Sequence, residues 1–274
     1  MKIGIIGTGN MGRILAEALI DGNAVSPSSM MITNRTLSKA LEIQKIYPGL
    51  TVGQNAIEVA QNSDAIFICV KPHNVWDVLQ QINPELNKDK CLISITSPIS
   101  VEQLERNVDC SVMRIIPSIT NRALAGVALF TYGDQCASEW KTYFHTLFEK
   151  VSVPVKIEEK ITRVASDIVS CGPAFFSFLV QRFITAAVKE TEIDQTTATK
   201  LASEMLVGLG ELLSKNHYTL PTLQEKVCVK GGITGEGIKV LENETGEMFE
   251  KLFQATHKKF EEEMEKVREK FDND

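Results

Sequence analysis

The pattern of apolar and polar positions changes character once along this chain. In the first half, short β-rich apolar runs at 2–6, Met30–Thr33, 65–70, 91–96, Ser111–Ile116 and Val127–Tyr132 predict strands. The run at 65–70, AIFICV, has no polar position, as a strand covered on both faces requires. Helical patterns fall at 11–21, ending at Gly22, and at Leu37–Ile46, ahead of Tyr47-Pro48-Gly49. Strands alternating with helices predict a parallel, doubly wound sheet. From about Thr162 onward no strand-like run appears. Long helical periodicities take over at 175–189, 196–214 and 236–269, with a helical-hairpin loop near Tyr218-Thr219-Leu220-Pro221. The last helix sets dense mixed charge around a sparse apolar stripe (Phe249, Phe253, Phe260, Met264, Val267), the pattern of a solvated helix face. The expectation is an α/β domain over residues 1–160 and an all-α domain over 161–274.

Composition narrows the class. The 274 residues suit two domains, and 43% hydrophobic with 23% charged residues is ordinary for a globular core. A net charge of −6 argues against a nucleic-acid partner, which requires a basic face. No apolar run approaches the ~20 residues that span a bilayer, so no membrane partner is expected. Gly4, Gly7, Gly9 and Gly12 interrupt the N-terminus where a signal peptide would be apolar, which makes the cytoplasm the expected compartment. The six cysteines are scattered without a C-x-x-C pair or clustered histidines, so reduced, buried thiols and no metal site are expected. His73, alone after Pro72, reads as a surface residue.

Gly7-Thr8-Gly9-Asn10-Met11-Gly12 matches G-x-G-x-x-G between an apolar strand and an amphipathic helix. Gly7 serves the tight turn, Gly9 lets a pyrophosphate approach the backbone, and Gly12 lets helix and strand pack. The amides of the helix N-terminus would bind the phosphates. The next strand ends in Asn34-Arg35-Thr36. No carboxylate stands there to hold a ribose 2′-hydroxyl, and Arg35 offers a planar cation to a 2′-phosphate, so NADPH is expected over NADH. Lys71-Pro72 follows AIFICV at the strand's C-terminal end, as a rigid loop over the cofactor or an ordinary strand exit. In the second half, Gly172-Pro173-Ala174 interrupts a helical stretch, and Lys230-Gly231-Gly232-Ile233-Thr234-Gly235 opens the last helix. Such a glycine loop suits a small carboxylate, with Thr234 adding a hydroxyl, or is simply a helix connection that needs glycine.

These pieces, in this order, resemble the pyrroline-5-carboxylate reductase family over nearly the whole chain. The matching segments are IGIIGTGNMG, FICVKP at 67–72, RIIP at 114–117, CGPAFF at 171–176 and KGGITGEGIKVLE at 230–242. The resemblance implies a Rossmann domain followed by an all-α dimerisation domain, and hence a homodimer through the C-terminal helices. It implies NAD(P)H-dependent reduction of 1-pyrroline-5-carboxylate to L-proline. It places the cofactor on Gly7, Thr8, Gly9, Asn10 and Met11, then on Asn34, Arg35, Asn55 and Lys71-Pro72, with Ser118 near the nicotinamide. It places the substrate carboxylate on Gly231, Gly232, Ile233 and Thr234, with Thr234 as the catalytic hydroxyl beside the ring nitrogen. A cyclic imine takes its proton from solution, so positioning carries most of the catalysis. This chain departs from the family's pattern at Ser97-Pro98, Ser118, Ser170-Cys171, Gln181 and Val229-Lys230. Two alternatives follow: a member that binds NADPH in a regulatory or competence-related role without catalysis, and a β-hydroxyacid-type dehydrogenase.

Overall fold

A computed structural model of the chain describes residues 1–271. Its first part builds one sheet from β1 (Ile3–Ile6), β2 (Met30–Thr33), β3 (Thr51–Val52), β4 (Ala65–Ile68), β5 (Cys91–Ser94), β6 (Ser111–Ile116), β7 (Val127–Tyr132) and β8 (Val153–Lys156). The spatial order is β3-β2-β1-β4-β5-β6-β7-β8. Helices α1 (Asn10–Asp21), α2 (Leu37–Ile46), α3 (Ala56–Gln61), α4 (Val75–Ile82), α5 (Val101–Glu105) and α6 (Ser138–Phe148) connect and cover it. Successive strand residues face opposite sides. Phe67 therefore joins the core with Leu15, Leu19, Phe144 and Phe148, while Ile66 and Ile68 join the core with Val75, Leu79 and Leu92.

The sheet departs from the expected all-parallel pairing at one place, because β7 runs antiparallel to β6. The connection between them holds only a short 3-10 turn, Ile119–Ala123, and a parallel return needs a crossover of a dozen or more residues. Strand β8 then pairs parallel with β7, returning through α6.

The remaining helices are α7 (Thr162–Ser166), α8 (Gly172–Glu190), α9 (Gln195–Ser214), α10 (Leu220–Val227), α11 (Ile233–Thr245) and α12 (Met248–Phe271). Three expectations change here. The helix expected over 236–269 is broken between α11 and α12, where Gly246 takes φ 45°. Leu220 and Pro221 lie in α10 and not in a loop, because Thr219 caps that helix and proline fits its first turn. Gly172-Pro173-Ala174 does not interrupt the helix: a π turn, Asp167–Cys171, joins α7 to α8 ahead of the proline. In consequence the apolar stretches on either side become one, and Glu159–Glu190 is long and apolar enough to cross a membrane by length and composition. That corrects the expectation that no such segment exists.

Compactness divides the described residues into one unit of residues 1–173 with 255–271, and another of residues 174–254. The divide falls later than residue 160 because α7 and the π turn belong to the first unit, which the C-terminal part of α12 rejoins. The apolar stripe of α12 is half-buried at Phe253, Phe260 and Met264 and buried at Val267, with the charges outside.

Candidate functional site

Strand β1 delivers the glycine loop to the C-terminal edge of the sheet. Gly7 takes φ +102°, and a Cβ there would lie 2.7 Å from the Cys69 carbonyl oxygen. At Gly12 a Cβ would lie 1.9 Å from the Gly7 carbonyl oxygen, so only glycine lets α1 close on β1. Gly9 is exposed with nothing near its Cβ position, and it caps α1 without a side-chain bond, leaving the helix's first amides free. Thr8 is buried between these glycines. Its amide donates to Asn34 Oδ1 (3.0 Å), whose Nδ2 donates to the Thr36 carbonyl (3.0 Å), so Asn34 ties the loop to the end of β2. The Thr8 hydroxyl is buried and has no partner among the described residues.

A cavity of about 600 Å³ opens in front of this loop. Gly7, Gly9, Asn34, Arg35, Asn55 and Lys71 line it, so the structure brings these predicted residues together. Asn55 also caps α3 by accepting from the Glu58 amide (2.9 Å). Among the other predicted residues, Thr8 and Gly12 are buried, Asn10 is exposed on α1, Met11 is half-buried, and Pro72 starts the 3-10 turn after Lys71; none of the five is in the cavity wall. Sequence reasoning missed Lys39, which also lines the cavity. Arg35 lies in the turn before α2 and Lys39 in its first turn, so no helical spacing links the two in the sequence. Cys69 lines the same cavity, but burial pushes its thiol far up, so it stays neutral. The only carboxylate in the wall among the described residues is Asp77, which pairs with Lys270 (3.3 Å).

Ser118 lies elsewhere, buried at the end of β6, and its hydroxyl donates to the Val169 carbonyl (2.7 Å). That carbonyl is four residues before Pro173, the position a helical amide at 173 would serve if proline had one. Ser170 returns the contact by donating to the Pro117 carbonyl (2.9 Å). Nearby, the fully buried Arg114 holds Glu159 with both terminal nitrogens (2.9 and 2.8 Å) and donates to Thr162 Oγ1 (2.6 Å), binding β6 to the start of α7.

The second unit carries the other glycine loop. Gly231 takes φ +73°, and Gly232 caps α11 with no side-chain bond, so the amides of its first turn are free. Ile233 is 93% exposed, and the exposed Thr234 hydroxyl has no partner among the described residues. Gln181 is exposed on α8, and Cys171 accepts from Arg163 Nη2 (3.5 Å). Among the described residues no group of His, Cys, Asp and Glu is disposed to hold a metal ion.

Residues 159–263 match the family described as pyrroline-5-carboxylate reductase dimerisation, and residues 2–98 match the coenzyme F420-dependent NADP oxidoreductase family. ComE operon protein 4 of Bacillus subtilis (strain 168) is 55% identical over 92% of this chain and 92% of its own length. Pyrroline-5-carboxylate reductase 3 of the same organism is 28% identical over 91% of this chain and 92% of its own. The crystal structure of Plasmodium falciparum pyrroline carboxylate reductase with NADP bound superposes with a TM-score of 0.80, covering 99% of this chain and 98% of that one at 24% identity, a likeness of fold. A glycine loop and cation-walled cavity on a doubly wound sheet, followed by the matching dimerisation helices, put the chain in the pyrroline-5-carboxylate reductase family.

Proposed function

We propose that this chain reduces a cyclic imine that carries a carboxylate, 1-pyrroline-5-carboxylate to L-proline, with NADPH as the hydride donor. One observation carries the reading: the glycine loop, through Gly7 and Gly9, and an uncapped helix N-terminus meet a cavity walled by Arg35 and Lys39. The free amides of α1 hold the pyrophosphate. Arg35 and Lys39 hold a 2′-phosphate, and no carboxylate stands at the end of β2 to repel it. The nicotinamide, when bound, supplies the hydride.

The first-turn amides of α11 hold the substrate carboxylate, where the helix dipole favours an anion. The Thr234 hydroxyl then sits by the ring nitrogen, directly or through a water. The nitrogen takes its proton from solution, so the protein's work is placement of the two reactants. Two copies pair through their C-terminal helices, covering Phe176, Phe178, Phe183 and Met205, which one copy leaves exposed. The same pairing accounts for the apolar length of Glu159–Glu190 without a bilayer. That run also contains the ion-paired Arg163 and Asp167, which hydrocarbon disfavours. We place the protein in the cytoplasm on this basis.

A second reading, NADPH binding without turnover in a regulatory or competence-related role, is favoured by the commitment of the Ser118 hydroxyl to Val169. The deciding experiment follows nicotinamide absorbance with purified protein, NADPH and 1-pyrroline-5-carboxylate. The expected result is proline formation, with Thr234→Ala lowering kcat/KM about tenfold or more, the size of a hydrogen bond to a charged group. No turnover by a protein that binds NADPH in a parallel titration refutes the reductase and leaves the second reading.

A further inference from the structure

The C-terminal part of α12 is tied to the first unit at two places. At the first, Thr256 donates to the buried Asp167 carboxylate (2.8 Å), which also takes Arg163 Nη2 (2.8 Å). The second lies further along the same helix by roughly 22 Å, at 1.5 Å per residue. There Val267 and Phe271 are buried, and the Phe271 ring centroid lies 4.7 Å from that of Trp76. Lys270 Nζ donates to the His73 carbonyl (2.7 Å) and to the Asp77 carboxylate (3.3 and 3.4 Å). The match to the dimerisation family ends at residue 263, so this second tie lies beyond it.

The segment it grips is part of the cavity wall. Asn74, Asp77, Val78 and Gln81 line the cavity from the turn before α4 and from α4 itself. Helix α4 has eight residues, too few to hold its own conformation, so its position depends on what packs against it. Asp77 is also, among the described residues, the one carboxylate facing a site that suits phosphates.

We propose that residues 264–271 are a clasp that positions α4 for dinucleotide binding, with Phe271 holding Trp76 and Lys270 neutralising Asp77. Lys270 and Phe271 are positioning residues, and the proposal rests on the reading of the cavity as the NADPH site. Without Lys270 the Asp77 charge faces the incoming phosphates uncompensated. Without Phe271 the outer face of α4 loses the ring that seats it.

The test is calorimetric titration of the full chain with NADPH. Lys270→Ala is expected to raise Kd about threefold at low salt, the size of a half-exposed ion pair, and less at high salt. The double variant Asp77→Asn with Lys270→Ala is expected to bind like the parent, because the uncompensated carboxylate is gone. Phe271→Ala is expected to raise Kd several-fold, and Phe271→Leu to restore most of it. Variants that melt earlier yet bind NADPH with the parent Kd overturn the clasp and leave the cofactor reading standing. A parent protein that binds no nicotinamide dinucleotide overturns both.

Discussion

Ser118→Ala separates a structural role for this hydroxyl from a cofactor role. The Ser118 Oγ donates to Val169 O (2.7 Å) and accepts from Thr120 Oγ1 (2.9 Å) and the Thr120 amide (3.3 Å). Thr120 is half-buried and can turn to water, but the Val169 carbonyl lies in the π turn with Pro173 unable to serve it. Removing one good bond and stranding a half-buried carbonyl costs about 2 kcal/mol. Both tryptophans, Trp76 and Trp140, lie in the first unit, so their fluorescence in urea reports that unit. With a denaturant slope of about 3 kcal/mol/M, the midpoint should fall by about 0.7 M. Pro173→Ala returns an amide that can serve Val169, so the loss should shrink in that background, with a coupling of about 1 kcal/mol. NADPH affinity should stay at the parent value throughout. A stability loss under about 0.5 kcal/mol together with weakened NADPH binding would refute the structural account.

Arg35→Ala and Lys39→Ala should each weaken NADPH about tenfold and leave NADH nearly unchanged, because only the phosphate pairs with them; equal weakening of both cofactors in competitive titrations would remove the 2′-phosphate assignment. Glu159→Gln leaves the fully buried Arg114 without its counter-ion, and with Glu159 itself half-exposed the loss should be about 2 kcal/mol by urea unfolding. Burial, with the hydrogen bond to Asp21, pushes the Tyr47 hydroxyl up to about 12 from 10.0, so the folded state holds this proton more tightly than the unfolded state. That stability is complete below pH 10 and is lost as pH rises from 10 to 12, so Tyr47→Phe should flatten the alkaline fall of the urea midpoint over that window.

Elements were legible where a local period met clear punctuation. Met30–Thr33, Leu37–Ile46, Ser111–Ile116 and Val127–Tyr132 form over the residues expected, each bounded by turn residues or a change of period. The direction of β7 was not in its apolar run, since a run of buried residues reads alike both ways; the helix-free connection before it was the available clue. Strand β8 escaped notice because Pro154 and the exposed Val153 and Val155 give an edge strand little apolar signal. The Gly246 break was hidden by helical periodicity on both sides, and only its positive φ marks it.

The candidate site divides along the same line. Gly7 and Gly12 were readable because each answers a backbone demand that no other residue meets, so the residue type is itself the signal. Arg35 was readable from its place after β2, whereas Lys39, in the first turn of α2, carries no such mark of position. Ser118 could not be read at all, because its partner lies 51 residues away and owes its availability to a proline four residues further on. The loop at Gly231 and Gly232 is the opposite case: its residues are local and legible, yet they fold into something that a single copy leaves open, with Ile233 93% exposed beside free amides. An apolar side chain so placed gains nothing from the chain that carries it. Its exposure fits a surface that the proposed pairing covers, which makes the Thr234→Ala assay a test of the assembled protein and not of one folded chain.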